Sequence, residues 1–196
     1  MKRSIFLPIL AIVVSAGILL ALSFGLNGIA TKNAQAEHWK VMQTLLPGSE
    51  SFTIESYNGE DANIRSVHKG ETGFVIETAT RGYAGEIVML IGVSKDGKVT
   101  GLTVREMSET LGLGMNALTD WEFLAQFLNT EGGVAIGTEG EDAFSGATGS
   151  TGDTETYVDG ISGATVTSKA IARCVNSAVA YVTGTDVDSG ATSWGG

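Results

Sequence analysis

EIVMLIGVSKDGKVTGLTVRE, residues 86–106, is the stretch on which the fold turns. Two runs, Glu86–Ser94 and Lys98–Glu106, are rich in β-branched and apolar residues and flank Lys95-Asp96-Gly97. An Asp-Gly step between two such runs is a strong signal for a tight hairpin turn, so the sequence predicts a pair of antiparallel strands. Moving toward the N-terminus, GFVIET (Gly73–Thr78) and FTIESY (Phe52–Tyr57) read as two more short strands. Moving toward the C-terminus, helix signals return. Thr119-Asp120-Trp121-Glu122 has the form of a capping box, with Thr119 expected to cap and Glu122 to reach back. Leu118, Trp121, Leu124, Ala125 and Leu128 are then expected to line one face of that helix. Residues 132–156 are rich in Gly, Ser, Thr and acids and read as a long loop. A last helix is expected over about Val166–Val182, with Ile171, Cys174, Val175, Ala178, Val179 and Val182 at helical spacing. Strands first and helices afterwards give an α+β domain with an antiparallel sheet and flanking helices.

The composition supports a folded chain and excludes some partners. Apolar residues make up 43% of the 196 and charged ones 17%, enough to bury a core. Twenty-two acids against twelve bases give a formal charge of -10, which repels nucleic-acid phosphates, so no nucleic-acid partner is expected. Between Arg105 and Lys169 there is no base and there are eleven acids, which reads chiefly as a solvated acidic surface. The one cysteine, Cys174, cannot form an internal disulfide or hold an iron-sulfur cluster, and its place in the helical pattern makes it a core residue. His38 and His68 are too few for a zinc site and read as ordinary surface histidines, so no metal is expected.

At the N-terminus, Ile5–Ile29 is a 25-residue run without charge. It is long enough to cross about 30 Å of hydrocarbon as a helix. Lys2 and Arg3 precede it, and the positive-inside rule then keeps the N-terminus cytoplasmic. A cleavable signal peptide ending near Ala34-Gln35-Ala36 is the competing reading, although the apolar run exceeds a usual signal core. The expected organisation is residues 1–30 as cytoplasmic N-terminus and single-pass anchor in an inner or plasma membrane. Residues 31–50 follow as a juxtamembrane helix stopping at Pro47-Gly48, residues 51–184 as an extracytoplasmic domain, and residues 185–196 as a flexible tail.

The segment most suggestive of chemistry is Asp159-Gly160-Ile161-Ser162-Gly163-Ala164-Thr165-Val166-Thr167-Ser168, a small-residue loop entering a helix. Small residues let another molecule approach the backbone, and free amides at a helix N-terminus attract phosphate. The alternative is a plain helix cap in which Ser162, Thr165 or Thr167 satisfies those amides.

DGISGATVTSKAI, taken with ETLGLG at residues 109–114, resembles the FMN-binding domain shared by the G subunit of Rnf electron-transport complexes and the C subunit of sodium-translocating NADH:quinone reductases. The likeness spans the anchor, the strand pair before ETLGLG, and the second motif with its helix. In that family FMN is joined through a phosphodiester to the threonine of a D-x-x-S/T-G-A-T motif by a flavin transferase acting outside the cytoplasm. The resemblance therefore implies covalent FMN on Thr165, transferase recognition through Asp159, and cofactor-binding roles for Ser162, Gly163, Ala164, Thr167 and Ser168. From the other motif it adds Glu109, Thr110, Gly112, Leu113 and Gly114, with Leu111 standing where proline is usual. The D-x-x-S-G-A-T pattern also occurs at Asp142–Thr148 and Asp186–Thr192. Only the middle copy runs into Thr167-Ser168-Lys169 and an amphipathic helix, which favours Thr165 over Thr148 and Thr192.

What the resemblance implies is an electron-carrying subunit, not a complete enzyme: no catalytic residue of its own, FMN as relay, other membrane subunits of an Rnf-type complex as partners, and lipid around the anchor. A C-type subunit of the quinone reductase, a stand-alone extracytoplasmic flavoprotein reductase, an acidic binding domain and an enzyme with dissociable FMN are the alternatives.

Overall fold

A computed structural model describes residues 10, 12–17, 36–110, 112, 114–137 and 156–185. Most of the apolar run, Leu111, Leu113, the first and third copies of the D-x-x-S-G-A-T pattern and nearly all of the tail lie outside the described residues. The chain divides into two units, Met1–Val41 and Met42–Gly196. In the first, residues 12–17 are helical, and Ser15 Oγ donates to the Ile12 carbonyl at 2.9 Å. Among the described residues no helix is long and apolar enough to cross a membrane. Residues 36–45 are helical and are termed α1.

The second unit is built on a five-stranded antiparallel meander, β1 (Thr53–Glu55), β2 (Ile64–Lys69), β3 (Gly73–Arg81), β4 (Glu86–Ser94) and β5 (Val99–Met107), with spatial order equal to chain order. The hairpin expected over 86–106 forms around Gly97, whose φ of 84° suits glycine, and Ser94 N donates to the Lys98 carbonyl at 2.8 Å. The strand expected at Gly73–Thr78 is longer and runs to Arg81, which pairs with Glu86. The strand expected at Phe52–Tyr57 contracts to three residues, and β2 was not anticipated. IRSVHK carries only two apolar residues, Ile64 and Val67, and its pairing on β3 slips by one residue between Ile64 and Ser66, which breaks the simple alternation.

One face of the sheet carries Ile76, Ile87, Met89, Ile91 and Val93 into the main core, where they meet Ile171, Cys174, Val175, Ala178 and Val179 of the long helix α4 (Thr165–Thr183). Polar side chains fasten this helix to the sheet. Thr80 Oγ1 donates to the Ala170 carbonyl at 3.1 Å and lies 3.3 Å from Cys174 Sγ, while Asn63 Nδ2 donates to Ser177 Oγ at 3.1 Å. The other face buries Val75 and Leu90 against Met42, Leu45, Leu46 and Phe52. Gly92 and Gly101 pair across β4 and β5 at the point where the end of α1 arrives. A Cβ on Gly92 would stand 2.2 Å from the Leu45 carbonyl oxygen, so glycine is what lets Thr100 Oγ1 reach that oxygen at 2.5 Å.

Between β5 and α4 lie two short helices, α2 (Gly114–Thr119) and α3 (Trp121–Ala125). The capping box differs from expectation. Asp120 caps α3, its carboxylate accepting from the amides of Glu122 and Phe123, while Thr119 turns back to donate to the Met115 carbonyl. Asp has a carboxylate at the right reach for both amides, so it displaces the threonine one position earlier. Leu118 and Leu124 are buried as expected, but Trp121, expected on the same face, is 68% exposed, and Phe123 and Phe127 are buried instead. The segment expected as one long loop contains β6 (Val134–Ile136) and adjoins β7 (Thr156–Val158), which pair in parallel. Asn176 on α4 completes this small sheet by accepting from Val134 N at 2.9 Å and donating to the Val134 carbonyl at 3.0 Å.

Candidate functional site

The second motif follows directly from β7. Gln126 holds the backbone of Asp159 from both sides, accepting from its amide at 3.0 Å and donating to its carbonyl at 3.5 Å. Gly160 then passes so close to β6 that a Cβ there would sit 2.6 Å from Ile136 Cγ2. Gly163 takes a φ of 78°, and Ala164 N closes the turn by donating to the Ile161 carbonyl at 2.9 Å. The chain enters α4 at Thr165. Ala164 is the N-cap and makes no side-chain capping bond, so neither Ser162 nor Thr165 serves as the plain helix cap that the sequence left open. Asp159, Ser162, Gly163 and Thr165 are exposed, whereas Ala164, Thr167 and Ser168 are buried. Ser168 braces the loop from beneath, donating to the Ala164 carbonyl at 3.0 Å and accepting from Ile161 N at 3.3 Å.

The first motif leaves β5 just before. Thr110 is exposed, and its carbonyl accepts from Met115 N at 3.2 Å as the chain winds into α2. Gly112 is exposed, adopts a φ of 81° and has open space where a Cβ would stand. Gly114 is the opposite: a Cβ there would meet Glu109 Oε2 at 2.4 Å and Thr167 Oγ1 at 2.6 Å. Those two groups are themselves bonded. Thr167 Oγ1 donates to Glu109 Oε2 at 3.2 Å in a buried contact, and Ala84 N of the β3–β4 turn donates to the same carboxylate at 3.3 and 3.4 Å. The fold therefore brings the two motifs together through Glu109 and Thr167, and it adds a third segment, Gly82–Gly85, that the sequence did not point to.

On the same helix face as Thr165, one turn on, stands Lys169, with Arg173 another turn beyond. Burial, and secondly the Arg173 charge, push the Lys169 ammonium below its ordinary range. Arg173 is partly buried, donates from Nη2 to the Arg81 carbonyl at 3.3 Å, and keeps its Nε buried without a partner. These two bases are the cations that follow the long base-free stretch.

Comparison with known proteins adds the decisive observation. The FMN-binding domain family matches residues 82–180, from the glycine beside Glu109 to the buried half of α4. This chain belongs to the FMN-binding domain family. The G subunit of an ion-translocating oxidoreductase complex of Methanosarcina acetivorans is 33% identical over 178 residues, covering 85% of this chain and 87% of that protein. The G subunit of the sodium-translocating ferredoxin:NAD oxidoreductase complex of Acetobacterium woodii is 36% identical over 110 residues, 55% of this chain and 47% of that one, so the match spans about half of that relative's length. The proton-translocating counterpart from Clostridium ljungdahlii is 28% identical over 171 residues, covering 86% and 84%. Among solved structures, the C subunit of the sodium-translocating NADH-quinone reductase of Parabacteroides distasonis aligns with a TM-score of 0.46 at 23% identity, covering 60% of each chain.

For an FMN-binding domain the arrangement suits the cofactor. An uncapped helix start offers amides to a phosphate, and small exposed residues at 162, 163 and 112 leave its approach open. Among the residues expected to bind FMN, Thr165, Ser162, Gly163, Thr110 and Gly112 are exposed and accessible to it. Glu109, Thr167, Ser168, Ala164 and Gly114 are buried.

Proposed function

We propose that this chain is the electron-carrying G-type subunit of a membrane-bound, Rnf-type ion-translocating ferredoxin:NAD oxidoreductase complex, and that it holds FMN through a phosphodiester on Thr165. The observation that carries the site is the exposure of Thr165 at the first position of an uncapped helix, two residues before the Thr167 that bonds the other motif through Glu109. The likeness to the G subunit of such a complex over most of both chains supports the role. FMN, when bound, supplies one- and two-electron transfer. The chain's own residues bind and orient it. The Thr165 hydroxyl would provide the oxygen of the linkage: its proton goes to a base of the transferase, a bond forms from Oγ1 to the flavin-side phosphorus, and the phosphoanhydride of a flavin dinucleotide donor breaks, its other half leaving as a nucleoside monophosphate. The α4 amides and Lys169 offset the phosphate charge. On this reading electrons enter and leave the flavin through the other subunits of the complex that the G-subunit relatives' names describe.

The same reading places residues 5–29 in the inner or plasma membrane as a single span, N-terminus cytoplasmic, with the FMN domain on the outer side. Leu10, Ile12, Val13 and Val14 expose 52–66% of their surface, which is unfavourable in water and suits lipid. The experiment is purification of the full chain from its native membrane in mild detergent. The expected result is co-purification with other membrane subunits and a yellow flavin that stays with the polypeptide through acid denaturation. A colourless chain that purifies alone overturns the proposal.

A further inference from the structure

Thr167 is expected among the cofactor-binding residues, and Glu109 either to hydrogen-bond the flavin or to order its loop; the structure bonds the two to each other. Glu109 is 9% exposed as a residue, and both its carboxylate oxygens are engaged, one by the Thr167 hydroxyl and both by the Ala84 amide. Glycines crowd it from two sides: a Cβ on Gly82 would lie 2.0 Å from Oε1, and one on Gly114 would lie 2.4 Å from Oε2. The carboxylate is thus committed to partners within the protein. Burying a carboxylate is costly unless hydrogen bonds satisfy it, and such a group is tolerated where it locks several segments together. Four segments converge here: the β3–β4 turn, itself closed by Gly82 N donating to the Gly85 carbonyl at 2.8 Å; the exit of β5; the start of α2; and the first turn of α4. Thr167 is two residues beyond Thr165, so whatever fixes Thr167 fixes the direction in which Thr165 points.

We infer that Glu109 and Thr167 form an internal clasp that positions Thr165 for flavin attachment, as positioning residues that do not contact the cofactor. The inference rests on the reading of Thr165 as the attachment residue. A reacting hydroxyl must be presented in one orientation, and a misplacement of about 1 Å costs about 100-fold in rate. The clasp supplies that orientation from inside the domain, and it makes presentation of Thr165 depend on the ETLGLG segment and on the β3–β4 turn.

The test compares the full chain with Thr167→Val, Thr167→Ser and Glu109→Gln, each made with a flavin transferase, and follows the rate of attachment by intact mass. Thr167→Val keeps the volume and loses the hydroxyl, and is expected to slow attachment by about tenfold or more. Thr167→Ser restores the donor and is expected to return the rate to within about twofold of the parent. Glu109→Gln keeps an oxygen to accept from Ala84 and an NH2 that can donate to the Thr167 hydroxyl, but loses the charge that strengthens both bonds, and is expected to slow attachment less than Thr167→Val does. Asn63→Ala serves as the stability control, since it removes a buried bond to Ser177 toward the far end of α4 and is expected to lower the melting temperature without slowing attachment. In parallel, hydrogen exchange of the unflavinylated chain reads the clasp without any cofactor. Thr167→Val and Glu109→Gln are expected to raise exchange in the peptides covering 82–85 and 162–168 together. Attachment at the parental rate in both variants, or exchange unchanged in those peptides, overturns the clasp. Should the parent itself accept no flavin, the attachment reading fails, and the exchange result alone then upholds or overturns the clasp.

Discussion

Thr165 and Thr167 share one turn of α4, yet Thr165 is exposed while Thr167 is 1% exposed and bonded to a buried carboxylate. The contrast extends across the site. Its rim, Ser162, Gly163, Thr165 and Gly112, is open, and its floor, Glu109, Gly114, Thr167 and Ser168, is closed and fully hydrogen-bonded wherever it is polar. The same small and polar residue types make both layers. What separates them is whether a neighbour occupies the space, and that decides whether a residue is available to a ligand or spent on holding the loop. Glycine shows the difference most sharply, because Gly112 has nothing within 4 Å of a would-be Cβ and Gly114 has two oxygens within 2.6 Å.

Substitutions can break this contrast from the floor upward. Asn176→Ala is expected to cost the most, about 3 kcal/mol in urea unfolding, because it leaves both the amide and the carbonyl of Val134 buried without partners. A loss below about 1 kcal/mol there would mean that β6 does not depend on α4. Gly114→Ala forces a methyl into Glu109 and Thr167 and is expected to cost about 2 kcal/mol. It should also slow flavin attachment, since it pries the clasp apart. At the rim, Gly112→Ala meets no atom and carries only the strain of a positive φ, about 1 kcal/mol. If Gly112→Ala proves as damaging as Gly114→Ala in parallel urea melts, the division into rim and floor is wrong.

The smallest effect expected is a pH dependence from the core. Burial holds the Cys174 thiol above its ordinary range, so the folded chain keeps the proton that the unfolded chain gives up. The associated stability is complete below the unfolded thiol value of about 8.5 and is lost as pH rises through it. Between about pH 7 and about pH 9 the chain is expected to lose a little under about 1 kcal/mol relative to Cys174→Ala. Tyr57 and Tyr181, also raised chiefly by burial, are common to both proteins and cancel in that difference. Parallel stability curves for the two proteins would contradict the assignment.

Much of this molecule was legible in its residues. The Asp-Gly hairpin and the helical spacing of Ile171, Cys174, Val175 and Ala178 mark the two halves of the core, because each is a local pattern long enough to be unambiguous. β2 was hidden because its register slip disrupts the alternation, and β6 because a three-residue strand in a Gly-rich segment leaves no period to detect. At the site, the motif residues were all visible, but their sorting into rim and floor was not. The bond that sorts them joins residues 58 apart in sequence, and the β3–β4 turn that completes it carries no motif of its own. The spacing of like residues pointed to a site and left open which of them face outward.

On the proposed reading, the exposed Thr165 carries the flavin while its buried neighbours hold it in place. The most direct measurement is peptide mass mapping of the full chain made with a flavin transferase, beside Thr165→Val. An FMN-sized adduct on the 159–168 peptide, absent from the variant and from the peptides bearing Thr148 and Thr192, is the expected result. An adduct that persists in Thr165→Val, or that maps to either of the other two threonines, would contradict the account.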